Sequence, residues 1–123
     1  MKKSSILYTG FGLVVLLWVL NFIALTFYLY WTIDWFDYLM HFLGGLSLGV
    51  LAVWFLKVES RSSKSFLAVF ISVMVISVGW EIFEYINGLT LSTEGYKIDT
   101  IHDIIMDALG IISAYWVTTS RSQ

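Results

Sequence analysis

The chain has 123 residues, 59% of them hydrophobic and only 13% charged, with a formal net charge of −2 and a mean hydropathy of +0.81. A soluble domain carries about 25% charged residues, so this chain has too few polar side chains to cover a water-facing surface, and lipid is the expected solvent. The length fits one domain, residues 1–123; the absence of cysteine excludes disulfide and thiolate chemistry, and the absence of proline excludes proline kinks.

A bilayer core about 30 Å thick needs roughly 20 apolar residues per helix. Four stretches meet or approach that length: residues 6–30, 38–56, 66–86 and 101–117. Barrel strands would alternate apolar and polar residues; these runs are continuous, so helices are expected. The first stretch follows Lys2 and Lys3, as a secretory signal would. A signal core is only about 7–15 residues long, however, and no small-residue cleavage site follows, so the first span is expected to be retained. Asn21 is its lone polar group, expected to bond to a neighbouring helix.

The link 31–37 contains Trp31, Trp35 and Asp34. Asp37 and His41 open the second span at i,i+4 and so share a face, which continues through Gly45 and Gly49. Small residues four apart allow close helix approach in lipid, so this face is expected to meet another helix. The link 57–65 holds Lys57, Arg61 and Lys64. On the third span Glu81 and Glu84 share a face, with Ser77 one turn below. The link 87–100 is the most loop-like, with Asn87, Gly88, Ser92 and Gly95. On the fourth span Asp99, Asp103 and Asp107 form an i,i+4,i+8 stripe continued by Gly110 and Ala114, with His102 on the flank.

Short links favour an up-down antiparallel bundle. The expected fold is an all-α integral membrane four-helix bundle. Lys2, Lys3, Lys57, Arg61, Lys64 and Arg121 then lie at one end and only Lys97 at the other, so the positive-inside rule puts both termini in the cytoplasm of a multi-pass plasma-membrane (inner-membrane) protein. The outer half receives eight of the nine carboxylates (Asp34, Asp37, Glu81, Glu84, Glu94, Asp99, Asp103 and Asp107) and both histidines. With about 1.5 Å of rise per residue, His41, Glu81, Asp103 and Asp107 come near one layer.

A charge at mid-bilayer costs at least about 2.5–3.5 kcal/mol, so these groups are expected to face one another inside the bundle. Bound cations, held protons or vestibule water could neutralise them there. A divalent metal ion is the simplest completion, with His41, Glu81, Asp103, Asp107 and Asp37 as candidate ligands and Glu84 or His102 as general base. Mixed imidazole and carboxylate ligation suits zinc, manganese or iron, and mostly oxygen ligation suits magnesium or calcium. Blander roles stand beside these. Asp34, Glu94 and Asp99 can be solvated, Asp37 and Asp99 can cap helices, and His41 can be a core histidine bonded to Asp37.

Three segments, FDYLMHFLGGLSLG (36–49), GWEIFEY (79–85) and DTIHDIIMDALG (99–110), together resemble the YjdF-like family of small bacterial and archaeal membrane proteins. The likeness implies a fold and the placement of a site. More distantly the same segments are similar to VanZ-like proteins, which are associated with glycopeptide resistance and cell-envelope phenotypes. Asp37, His41, Phe42, Glu81, Asp103 and Gly110 fit that pattern. Tyr38, Glu84 and Asp107 stand where it has lysine, glutamine and asparagine.

The leading expectation is a metal-dependent enzyme acting on a lipid headgroup or lipid-linked envelope precursor. The alternatives are a cation or proton binding or transport protein without catalysis, and an accessory subunit of an envelope complex. Transport needs a polar path inward, for which the sequence offers only Ser47, Ser72, Ser113, Asn21 and Thr26, unless a homo-oligomer builds one. Membrane lipids are the expected partners, and nucleic acid is not.

Overall fold

The computed structural model describes residues 1–89 and 95–119. Ser92, Glu94 and Arg121, each assigned a place above, lie outside the described residues. The chain is all-α: α1 (Lys3–Thr26), α2 (Leu29–Thr32), α3 (Phe36–Phe55), α4 (Ser63–Ile86) and α5 (Tyr96–Thr118). All but α2 are long and apolar enough to cross a membrane. At 24 residues, α1 and α4 would each be about 36 Å long, enough for the hydrocarbon core. The surface matches that solvent. Trp18, Phe22, Ile71, Val75 and Val117 are exposed large apolar side chains on these helices.

The helix ends refine the expected spans. The first helix ends at Thr26, before residue 30, because Tyr28 turns into the left-handed region (φ 56°), and the chain restarts as the single turn of α2. The third long helix starts three residues ahead of 66. There Ser62 accepts from the Ser65 amide while the Ser65 hydroxyl accepts from the Ser62 amide, a reciprocal cap that satisfies two otherwise unpaired donors. The last helix starts at Tyr96 and so takes in Asp99. Neither Asp37 nor Asp99 is an N-cap. Trp35 and Gly95 hold those places without a side-chain cap bond, and the two aspartates lie in the first turns, where carboxylates favour the positive end of the helix dipole.

The central element is α3, which packs on α1, α4 and above all α5. Its seam with α5 is set by missing side chains. A Cβ on Gly45 would overlap the Asp107 backbone carbonyl, and one on Gly110 would overlap the Phe42 carbonyl and the Leu46 amide. The two backbones therefore touch, as small residues permit in lipid. Below this contact Val50, Val53, Val69, Val73, Ile111 and Ala114 form a buried apolar core with Ile6 of α1. A second cluster, Ala24, Phe36 and Met40, joins the far end of α1 to α3.

Hydrogen bonds hold the end that carries both termini. The N-terminal amine donates to the Thr118 carbonyl at 3.5 Å, and Lys3 pairs with Glu59 of the α3–α4 link at 2.9 Å. That pairing keeps the exposed Glu59 carboxyl below its usual range. The Tyr115 hydroxyl meets Ser65 Oγ at 2.7 Å and receives the Ser62 amide at 3.0 Å. The bundle is therefore up-down and antiparallel, with the α1–α3 and α4–α5 connections at the opposite end.

Candidate functional site

At that opposite end the first two turns of α3, the last two of α4 and the first four of α5 come together. The glycine seam decides the geometry. With Gly45 against the Asp107 backbone, the Asp107 carboxylate lies one turn from Gly45, at His41. His41 Nδ1 and Asp107 Oδ2 are 3.3 Å apart, a buried hydrogen bond that an ionised Asp107 accepts from the ring N–H. Asp37, the i,i+4 neighbour of His41, is not its hydrogen-bond partner. It stands 4.0 Å from the other nitrogen, Nε2.

Nε2 is surrounded by oxygen. Asp103 Oδ2 lies at 3.8 Å, Glu81 Oε1 at 3.9 Å and Asp37 Oδ1 at 4.0 Å, one carboxylate from each of α5, α4 and α3. All three distances exceed the range of a hydrogen bond. His41, Glu81, Asp103 and Asp107 are buried, and Asp37 and Glu84 are half-buried. Two carboxylate oxygens in this layer, Glu81 Oε1 and Asp103 Oδ1, are buried without a close hydrogen-bond partner, as is Thr100 Oγ1. Buried polar atoms are nearly always satisfied; the Thr100 side chain interacts with the Glu81 carboxylate, which leaves Asp103 Oδ1 as the atom to be explained.

Charge sharpens the problem. Two unit charges 4 Å apart repel by about 4 kcal/mol at an effective dielectric of about 20. Five carboxylates converge here, and among the described residues no lysine or arginine pairs with them. Two subsets, Asp37–His41–Asp103 and His41–Glu81–Glu84, each offer three ligand atoms within 4.8 Å of one another. Ligands bound tetrahedrally at about 2.0–2.3 Å lie about 3.3–3.8 Å apart. The distances from Nε2, 3.8–4.0 Å, sit at or just beyond that span. The two subsets share His41 and keep Glu81 apart from Asp37 and Asp103, and each could hold a divalent ion.

The structure thus brings together His41, Asp37, Glu81, Glu84, Asp103 and Asp107. His102 stands on the flank, exposed. Its Nδ1 is 3.4 Å from the Tyr38 hydroxyl, and the two rings meet edge-on at 5.2 Å. Asp34 is exposed, as a solvated loop residue would be, and Asp99 is half-buried. Asn21 does bond to a neighbouring helix, accepting from the Tyr30 hydroxyl of α2 at 2.9 Å. Tyr30 is a neighbour the sequence did not single out. Burial, followed by the charges of Asp37 and Glu84, pushes its hydroxyl pKa up to about 12, so it stays a neutral donor. Thr100 also escaped notice. It lies one position from Asp99, and threonine in an apolar span is usually a local backbone bonder.

A family model described as "Predicted membrane protein (DUF2238)" matches residues 3–123. No curated protein and no solved structure matches the chain.

Proposed function

The chain belongs to this DUF2238 family of predicted membrane proteins, and on that premise we propose that its acidic end is a divalent-metal centre of an enzyme acting on a lipid headgroup or lipid-linked envelope precursor. The observation that carries the reading is the environment of His41. Its Nδ1 is committed to Asp107, which fixes the ring, and its Nε2 faces three carboxylate oxygens at 3.8–4.0 Å with no hydrogen bond to any of them. A protonated ring would offset only one of the converging charges. A neutral imidazole turned toward an ion answers the rest of the negative charge and the unpartnered oxygens together.

In this reading His41, Asp37, Glu81 and Asp103 are the ligands. Asp107 is the outer partner that orients His41, the usual companion of a metal-bound histidine. A bound zinc, manganese or iron ion would supply Lewis acidity and a water of lowered pKa. Glu84, half-buried beside Glu81, would be the general base there. His102, beside Tyr38, is assigned to the rim of the site. The acidic end is assigned to the outer leaflet because the lysines and Arg61 gather at the other end.

A transport role is less well supported. Between the acidic layer and the termini, the core of the described residues is Val50, Val53, Val69, Val73, Ile111 and Ala114, with Ser47 and Ser77 buried near its acidic end, a thin polar path through one copy of the chain.

The test is headgroup release. The full-length protein, reconstituted in vesicles of mixed bacterial phospholipids with zinc or manganese, is expected to liberate water-soluble headgroup. Chelation should stop the release. Glu84→Gln should retain metal but lose at least about 100-fold in rate, the scale of general-base catalysis. Release unaffected by chelation or by Glu84→Gln would refute the enzymatic reading and leave the metal site to be judged separately.

A further inference from the structure

At the termini end, where α4 begins beside the last turn of α5, a groove of about 500 Å³ opens between Arg61, Ser63, Phe66, Leu67 and Trp116. We propose that this groove seats an anionic phospholipid of the leaflet at the termini end, its phosphate on Arg61 and the start of α4 and an acyl chain along Phe66 and Leu67.

The two ends of the groove differ in chemistry. Its head is cationic. The Arg61 guanidinium is held in place from three sides: Nε donates to Thr119 Oγ1 at 3.3 Å, Nη2 donates to the Trp116 carbonyl at 2.5 Å, and the group lies 4.3 Å from the centre of the Trp116 ring. Arginine has five N–H donors in a rigid fork, so three remain for another acceptor. Fixing the guanidinium beforehand removes ordering cost from any phosphate that meets it. Beside it the Ser63 and Lys64 amides open α4, ahead of the Ser65 amide taken by the Ser62 cap, and a helix start favours phosphate. Lys64 is exposed next to them.

The other end of the groove is apolar. Leu67 and Trp116 are each 52% exposed and Phe66 is half-buried, on helices that continue into the membrane. Only an anion with an apolar tail satisfies both ends. A zwitterionic lipid would bring its own cation into a region that, among the described residues, already carries Lys2, Lys3, Lys57, Arg61 and Lys64 against Glu59. A free phosphate would leave the apolar wall unused.

The experiment is native mass spectrometry of the full-length protein in detergent, titrated with phosphatidylglycerol, with phosphatidylcholine of the same chains, or with phosphatidylglycerol plus excess inorganic phosphate. Phosphatidylglycerol is expected to be retained at least about tenfold better than phosphatidylcholine, and inorganic phosphate should not displace it. Arg61→Gln should weaken retention about tenfold, the loss of about 1.4 kcal/mol. Lys57→Gln removes the same charge outside this groove and should change retention less than about twofold. Leu67→Trp fills the apolar end with Arg61 intact and should also reduce retention; it decides the matter if Arg61→Gln does not fold. Equal retention of both lipids, equal weakening by Arg61→Gln and Lys57→Gln, displacement by inorganic phosphate, or an unaffected Leu67→Trp would each overturn the proposal.

Discussion

In the half of the bundle nearest the termini, α3 and α5 enclose Val50, Val53, Ile111 and Ala114, with Val69 and Val73 arriving from α4. In the other half the same helices enclose His41, Asp103 and Asp107, with Glu81 arriving from α4. The helices and the glycine seam are shared, and only the side chains differ. In lipid, helix association rests on close packing and not on escape from water, and the apolar half shows that these helices can pack well without a charge. The acidic half adds repulsion and orphaned oxygens that an all-apolar seam would avoid. If a ligand accounts for those residues, as proposed, the two halves should respond to mutation in opposite ways.

The largest effect should come from the seam both halves depend on. Gly110→Val drives side-chain atoms into the Phe42 carbonyl and the Leu46 amide, backbone groups that cannot rotate away. It should cost about 3 kcal/mol or more and remove folded protein from size-exclusion profiles in detergent. Next, Ile111→Ala in the apolar half should destabilise by about 2–5 kcal/mol, read as a lowered thermal midpoint, while metal content per folded molecule is unchanged. The acidic half should behave in reverse. Asp107→Asn should weaken metal affinity by about 10–100-fold, as loss of an orienting partner does, with little change in the midpoint of metal-free protein. If Asp107→Asn instead lowers the metal-free midpoint as much as Ile111→Ala does, the acidic half is structural and the contrast disappears.

The pH responses should differ too. Ligands must shed protons to bind metal, so metal content should fall as pH is lowered, with a midpoint that moves to lower pH as metal concentration rises. The smallest effect belongs to the exposed Lys3–Glu59 pair. The Glu59 carboxyl is held below its ordinary value by Lys3, so its contribution is present above the ordinary carboxylate range and lost on acidification through the folded pKa. Exposed pairs contribute little, and Glu59→Gln should shift the thermal midpoint at neutral pH by no more than the scatter of replicate scans.

The contrast between the halves was largely legible in the sequence. Apolar run length gave the four crossing helices, the Gly45–Gly49 and Gly110–Ala114 stripes marked the seam, and helical spacing placed His41, Glu81, Asp103 and Asp107 near one layer. Distances between helices were not legible. Sequence spacing pairs His41 with Asp37 on its own helix, yet the hydrogen bond goes to Asp107, because the backbone contact at Gly45 brings α5 closer than any i,i+4 neighbour. That pairing exchanges the expected roles: Asp107 had been a candidate ligand, and the geometry favours it as the orienting partner. Tyr28 could not be foreseen as a helix break, since neither proline nor glycine marks it. His102 has a rotational position on α5 compatible with the site or its rim, and only the Tyr38 contact distinguishes them.

The account stands or falls on whether the converging carboxylates hold an ion. The most direct measurement is elemental analysis of full-length protein purified without added metal, then again after dialysis against zinc or manganese, for wild type and for His41→Ala, Glu81→Gln and Asp103→Asn. About one tightly held divalent ion per chain in wild type, lost in all three variants while Ile111→Ala retains it, is the predicted result. Metal-free wild type that takes up none on dialysis, with a thermal midpoint indifferent to chelators, would contradict it.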